Sequence, residues 1–228
     1  MWEWRSRCPG LNRLAVPAEV VKALVVVAAH WQWSDVVALL LIDFLGMLRP
    51  GEGLALRFAD VTFTTSSKGL VLAFVFVGSR KTRRLAARRQ HVRLDDQFVV
   101  PLLALAWPKN AAALQRRIFG GSRLQWNSCF TALVRELRLG AAAAARLTPA
   151  CLRPGGATWH YQETDSPDQV RFRGRWLSTR MLEIHIQEVA GDTFLNDLPQ
   201  VVRDRVLAVA QHFCQALLHL WSAEALLS

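Results

Sequence analysis

Gly46-Met47-Leu48-Arg49-Pro50-Gly51-Glu52 decides the reading of this chain. An apolar run ends there, an arginine follows it, and a Pro-Gly pair breaks the helix. A second arginine stretch, Leu152-Arg153-Pro154-Gly155-Gly156-Ala157-Thr158, answers it about a hundred residues later, and a third block, Gly174-Arg175-Trp176, follows. Arginine carries a planar, always-charged fork that binds phosphate through paired hydrogen bonds. Two such residues suit a clamp on the non-bridging oxygens of a phosphodiester.

The 228 residues suffice for one large domain or two small ones. A composition of 52% hydrophobic and 20% charged residues supports a packed core and argues against disorder. The net charge of +10, from 28 Lys+Arg against 18 Asp+Glu, favours a polyanionic partner, and nucleic acid is the commonest. The four cysteines, Cys8, Cys129, Cys151 and Cys214, form no CxxC pair, and Met1 to Arg5 lacks an apolar signal core. The expectation is an intracellular protein, nuclear if eukaryotic, with free, buried thiols. The apolar runs Val20–Ala29 and Val36–Leu48 fall short of the ~20 residues of a membrane span. They read as core helices, and no membrane association is expected.

Residues 1–16 read as an arm or linker remnant. Pro17 suits a first helical turn, and helix one is predicted to about residue 31. Ser34-Asp35 caps a second helix to about Leu48, and Glu52 to Phe58 reads as a short third one. The β signal is confined to the middle: 61–64 and 70–77 are β-branched and aromatic, and 90–94 alternates. Between the last two lies Arg80-Lys81-Thr82-Arg83-Arg84-Leu85-Ala86-Ala87-Arg88-Arg89, with six basic residues in ten. Helices are predicted near 97–106, 110–118, 124–138, 149–163, 167–173, 177–189 and 199–221, while Ala141–Ala145 reads as either helix or linker. The expected fold is mainly α with a small three-stranded antiparallel sheet: a domain over 17–190 and a helical tail over 191–228.

The arginine blocks resemble the catalytic domain of tyrosine recombinases, the phage-integrase-type strand exchangers. The family writes the first block roughly as GLRxxEhhxLxWxDh, and here Met47 to Val61 follows it. The resemblance implies Arg49 as the first clamp arginine, with Glu52 as its supporting carboxylate. It implies Lys81, which precedes Thr82 as in the family's hairpin "KT" element, as the general acid. The basic run around it reads equally as a solvated turn, and Arg80, Arg83, Arg84, Arg88 and Arg89 are candidate DNA-phosphate contacts in either case. Arg153 matches the second arginine of the H-x-x-R-H pattern, but Ala150 stands where the first histidine belongs and Pro154 where the second does. Gly155 to Thr158 resembles the family's small-residue helix start.

Trp176 matches the His/Trp position of the third block. The family's nucleophile falls nine residues further on, and that place holds His185 within Met181 to Glu188. The chain's single tyrosine, Tyr161, is out of register. The block looks most like the recombinase domains of mobile elements. The expectation is therefore a double-stranded-DNA-binding domain of the DNA recombination and integration class, catalytically impaired because its nucleophile is missing. Imidazole attack through a phosphoramidate is the active alternative, and a helical scaffold that inherited the fold is the non-DNA alternative. No cofactor or metal is implied, since the aspartates and histidines form no ligand-spaced cluster. His160 reads as a satisfied helix histidine.

The tail carries Val202, Val206, Val209, Phe213, Leu217 and Leu220 on one apolar stripe, with Val201, Leu207, Cys214, Leu218 and Trp221 adding a second face. A helix so apolar needs burial. Its own domain offers that, and so does a neighbouring protomer, as in related recombinases, which would make a homo-oligomer.

Overall fold

The computed structural model describes residues 14–78, 90–183, 185–186 and 193–227. Two apolar helices form its centre: α1 (Ala18–His30) and α2 (Ser34–Leu45). Every residue of α2 from Val36 to Leu45 is buried, which explains why the run shows no polar face. The chain then turns through Met47, at φ 48°, into α3 (Pro50–Gly53). A 3-10 turn, Phe58–Asp60, leads into β1 (Val61–Thr65), β2 (Val71–Val77) and β3 (Gln90–Leu94). The sheet is antiparallel in the order β1-β2-β3, with Val61 opposite Val75 and Ala73 opposite Leu94. Alternation does its work in β2, where Ala73, Val75 and Val77 are buried.

Beyond the sheet come α4 (Val99–Ala106), α5 (Ala111–Leu114), α6 (Arg123–Glu136), α7 (Ala141–Ala145), α8 (Leu152–Thr164), α9 (Pro167–Arg173), α10 (Thr179–Glu183), α11 (Gln200–Gln211) and α12 (Phe213–Leu227). Helix α1 packs against α2, α6, α8, α11 and α12. The mainly helical fold with its small antiparallel sheet follows the sequence expectation. Leu14, Ala15 and Val16 are buried, and the Val16 N–H donates to the Cys151 carbonyl at 3.4 Å. Among the described residues no helix is long and apolar enough to cross a membrane.

Several elements differ from expectation. Helix α2 stops at Leu45, because the backbone turns at Gly46 and Met47 and the Leu48 N–H reaches back to the Asp43 carbonyl. The expected helix over 52–58 is the single turn α3, capped by Glu52 on the Arg49 N–H. Helix α5 ends at Leu114, since Arg116 to Ile118 extend to pair with Leu56 to Phe58. The helix expected over 177–189 is α10 alone within the described residues, with His185 in a turn after it.

The tail is two helices broken at His212. Helix α11 lies on α1, while α12 spans α1 and α4, and one straight rod does not follow both surfaces. Val206, Leu217, Leu220 and Trp221 are buried, whereas Val201, Cys214 and Leu218 face solvent. Cys151 is buried and Cys129 half-buried. The expectation of buried thiols therefore fails at Cys214, which points away from the buried Leu217–Leu220 stripe, and Cys8 lies outside the described residues.

Candidate functional site around Glu52

Pro50 disfavours a helical conformation at the residue before it, and Arg49 is extended at φ −74°, ψ 144°. This brings Glu52 back over Arg49: the backbone N–H donates to Oε2 at 2.9 Å and Nη1 to Oε1 at 2.9 Å. The Arg49 side chain keeps 40% of its surface exposed, while that of Glu52 keeps 9%.

Helix α8 brings the second arginine to the same carboxylate. It passes so close to the end of α2 that a Cβ on Gly156 would lie 2.0 Å from the Phe44 carbonyl oxygen, which explains the small residues after Arg153. Arg153 Nη1 then donates to the Met47 carbonyl at 2.8 Å and Nη2 to the Gly174 carbonyl at 3.0 Å. Nη1 also lies 3.8 Å from Glu52 Oε2, and the side chain is only 7% exposed. Burial, then the Arg49 and Arg175 charges, push this guanidinium down to about 9, which leaves it protonated at neutral pH.

The third block closes the site. The Arg153 guanidinium carbon stacks 4.8 Å from the Trp176 ring, and Trp176 lies 4.9 Å from the His185 ring. Trp176 is buried with Met47, Ala157, Val170 and Leu182, and Tyr161 packs against this cluster. The Thr158 hydroxyl donates to the His185 carbonyl at 3.3 Å. Burial, then Arg153 and Arg49, push the His185 imidazole down to about 4, so it is neutral at physiological pH. Arg173 grips Asp95 beyond β3 with two bonds of 2.7 and 2.6 Å, and Arg175 Nη2 donates to Glu52 Oε2 at 2.8 Å.

Glu52 is thus the hub of three arginines. Burial alone would raise its carboxyl pKa, but Arg175, the Arg49 N–H and the Arg49 charge outweigh burial and hold it below the ordinary value. Asp43, behind it, is fully buried with no hydrogen-bond partner on either oxygen among the described residues. Burial, with Glu52 nearby, pushes its carboxyl well above the ordinary range.

Arg49, Arg153, Trp176 and His185 therefore converge. Lys81, Arg80, Arg83, Arg84, Arg88 and Arg89 lie outside the described residues. His160 is buried on α8 beside Trp159, on the side of Asp95 and Arg173. Sequence reasoning passed over Arg175 and Asp43. The signal for Arg175 was its place between Gly174 and Trp176, and that for Asp43 was a lone acid inside an apolar run. Among the described residues no group of three or more His, Cys, Asp or Glu side chains is placed to hold a metal ion.

No family model and no curated protein matches the sequence. Solved structures do match the fold. The XerH site-specific recombinase bound to difH substrate, in its pre-cleavage complex, superposes with a TM-score of 0.54 at 14% identity, over 77% of this chain and 51% of that one. The post-cleavage complex of XerH with palindromic difH substrate gives 0.53 at 14% identity, over 80% and 52%. The chain spans about half the length of these structures. It has a tyrosine-recombinase-like fold.

Proposed function

We propose that this chain is a DNA-binding, tyrosine-recombinase-like domain whose strand-cleaving chemistry is impaired. The observation that carries this reading is the cluster in which Arg49 and Arg153 share the Glu52 carboxylate, Trp176 stacks on Arg153 and His185 packs on Trp176, in a fold shared with a recombinase bound to its substrate. Arg49 faces solvent and meets the DNA phosphate. Arg153 supplies positive charge from behind, while its donors hold the Met47 and Gly174 carbonyls. Strand exchange through a tyrosine-type phosphoester needs a hydroxyl nucleophile and an acceptor for its proton. His185 offers no hydroxyl, and Ala150 offers no base. The basic run 80–89 adds backbone charge neutralisation.

A nicked suicide duplex at low salt tests this, with the unmodified chain and with His185→Tyr. The expected result is salt-sensitive retention of the duplex by both, with a covalent adduct from the variant alone. An adduct from the unmodified chain overturns the impaired reading and makes His185 or Tyr161 the nucleophile to map. The scaffold reading is favoured by the engagement of Arg153 on two carbonyls, which leaves one solvent-facing clamp arginine. It predicts weak duplex association that is indifferent to salt.

A further inference from the structure

Arg175 stands apart from the two arginines that the motifs single out. Its backbone is left-handed at φ 61°, a conformation that is strained for a non-glycine residue. Its side chain is only 8% exposed. Nη2 holds Glu52, yet Nε and Nη1 are buried without a hydrogen-bond partner among the described residues. Unpaired buried donors on a charged group are costly, and folded proteins keep few of them. The charge around them is equally unbalanced. Arg49, Arg153 and Arg175 surround the one Glu52 carboxylate, and burial pushes the neighbouring Asp43 carboxyl well above the ordinary range. Free donors together with excess positive charge suit a ligand with several anionic oxygens.

We propose that Arg175 is a third phosphate-binding arginine of this site, its Nε and Nη1 groups taking a non-bridging oxygen. The identity of the phosphate as a DNA phosphodiester rests on the function proposed above. The oxygen-binding role does not. Because Nε and Nη1 are covered in this structure, docking includes a local shift of the side chains around them.

Inorganic phosphate is the probe, with thermal melts recorded at constant ionic strength. The expected result is a saturable rise in Tm for the unmodified chain that Arg175→Gln abolishes. Absence of the rise, or an equal rise in the variant, overturns the proposal. Should Arg175→Gln fail to fold, Arg175→Lys keeps the charge but loses the fork, and its phosphate affinity is expected to fall about tenfold. Unchanged affinity there overturns the proposal as well.

Glu52→Gln separates binding from mere bracing. It frees Arg175 and is expected to tighten phosphate, whereas a purely structural tether predicts the same loss as Arg175→Gln. Duplex retention is measured in parallel. A phosphate response without duplex binding removes the DNA reading and leaves Arg175 standing, and duplex binding without a phosphate response does the reverse.

Discussion

Arg153 donates to the Met47 carbonyl at 2.8 Å, which bolts the second arginine motif to the backbone of the first. The buried arginine is thereby a structural bond as well as a charge, while Arg49 stands at the surface. The two are expected to separate on mutation. Arg153→Ala leaves the Met47 and Gly174 carbonyls unpaired and is expected to cost about 3 kcal/mol in urea unfolding. Arg153→Lys rescues little, since an ammonium does not bridge both carbonyls in the plane of a fork. Arg49→Ala is expected to cost under about 1 kcal/mol and to reduce the salt slope of duplex binding by about 1.

Gly174 is a second place where a glycine lets the chain come close. A Cβ there would lie 1.5 Å from the Trp176 ring, so the ring is seated directly on the glycine. Gly174→Ala is expected to displace Trp176, destabilise by about 1–3 kcal/mol, and change the indole fluorescence in the native state. An unchanged melt with unchanged fluorescence would show that Trp176 packs elsewhere in solution.

His160 gives the fold an acid limit. Burial, then the Arg173 charge, outweigh Asp95 and the Leu45 backbone and push its imidazole from 6.5 to about 4. The folded state holds it neutral while the unfolded chain takes up a proton below 6.5. Its contribution is therefore present at neutral pH and lost as pH falls from about 6.5 toward 4, roughly 3 kcal/mol in all. His185 is lowered likewise, so it adds a slope of the same sign in the same window. His160→Gln is expected to flatten part of the acid limb of a stability-versus-pH curve measured by urea unfolding.

Asp43 works in the opposite direction. Its folded carboxyl is raised well above 3.8, so the folded state keeps a proton that the unfolded chain releases. Stability from this group is full below 3.8 and declines as pH rises toward the raised value. Asp43→Asn removes that decline. The variant is expected to gain on the unmodified chain steadily as pH increases, and a constant difference across pH would place the Asp43 charge in water.

Much of this was legible in the residues. The β-branched and aromatic run of 70–77 and the alternation of 90–94 marked strands that the sheet contains, because a half-buried strand writes its preferences into its side chains. Arg49 and Arg153 were singled out by short local patterns, and both turn toward Glu52. The lengths of the segments after Leu114 and after Ser178 were not legible. An extended pairing with Leu56 to Phe58, distant in sequence, ends one, and a turn at His185, whose carbonyl accepts from the distant Thr158 hydroxyl, ends the other. The tail read as one apolar rod, yet its break at His212 is set by which surfaces α1 and α4 offer.

The sequence by itself determined the helix–sheet–helix order, the positions of the arginine motifs and the absence of tyrosine at position 185, because these are properties of residue type and local spacing. Only the tertiary structure decided that Glu52 is shared by three arginines, that Arg153 is spent on carbonyls, and that Arg175 is buried with donors to spare. Those outcomes depend on groups more than a hundred residues apart meeting within about 3 Å, and on the low-dielectric interior that makes each pairing matter.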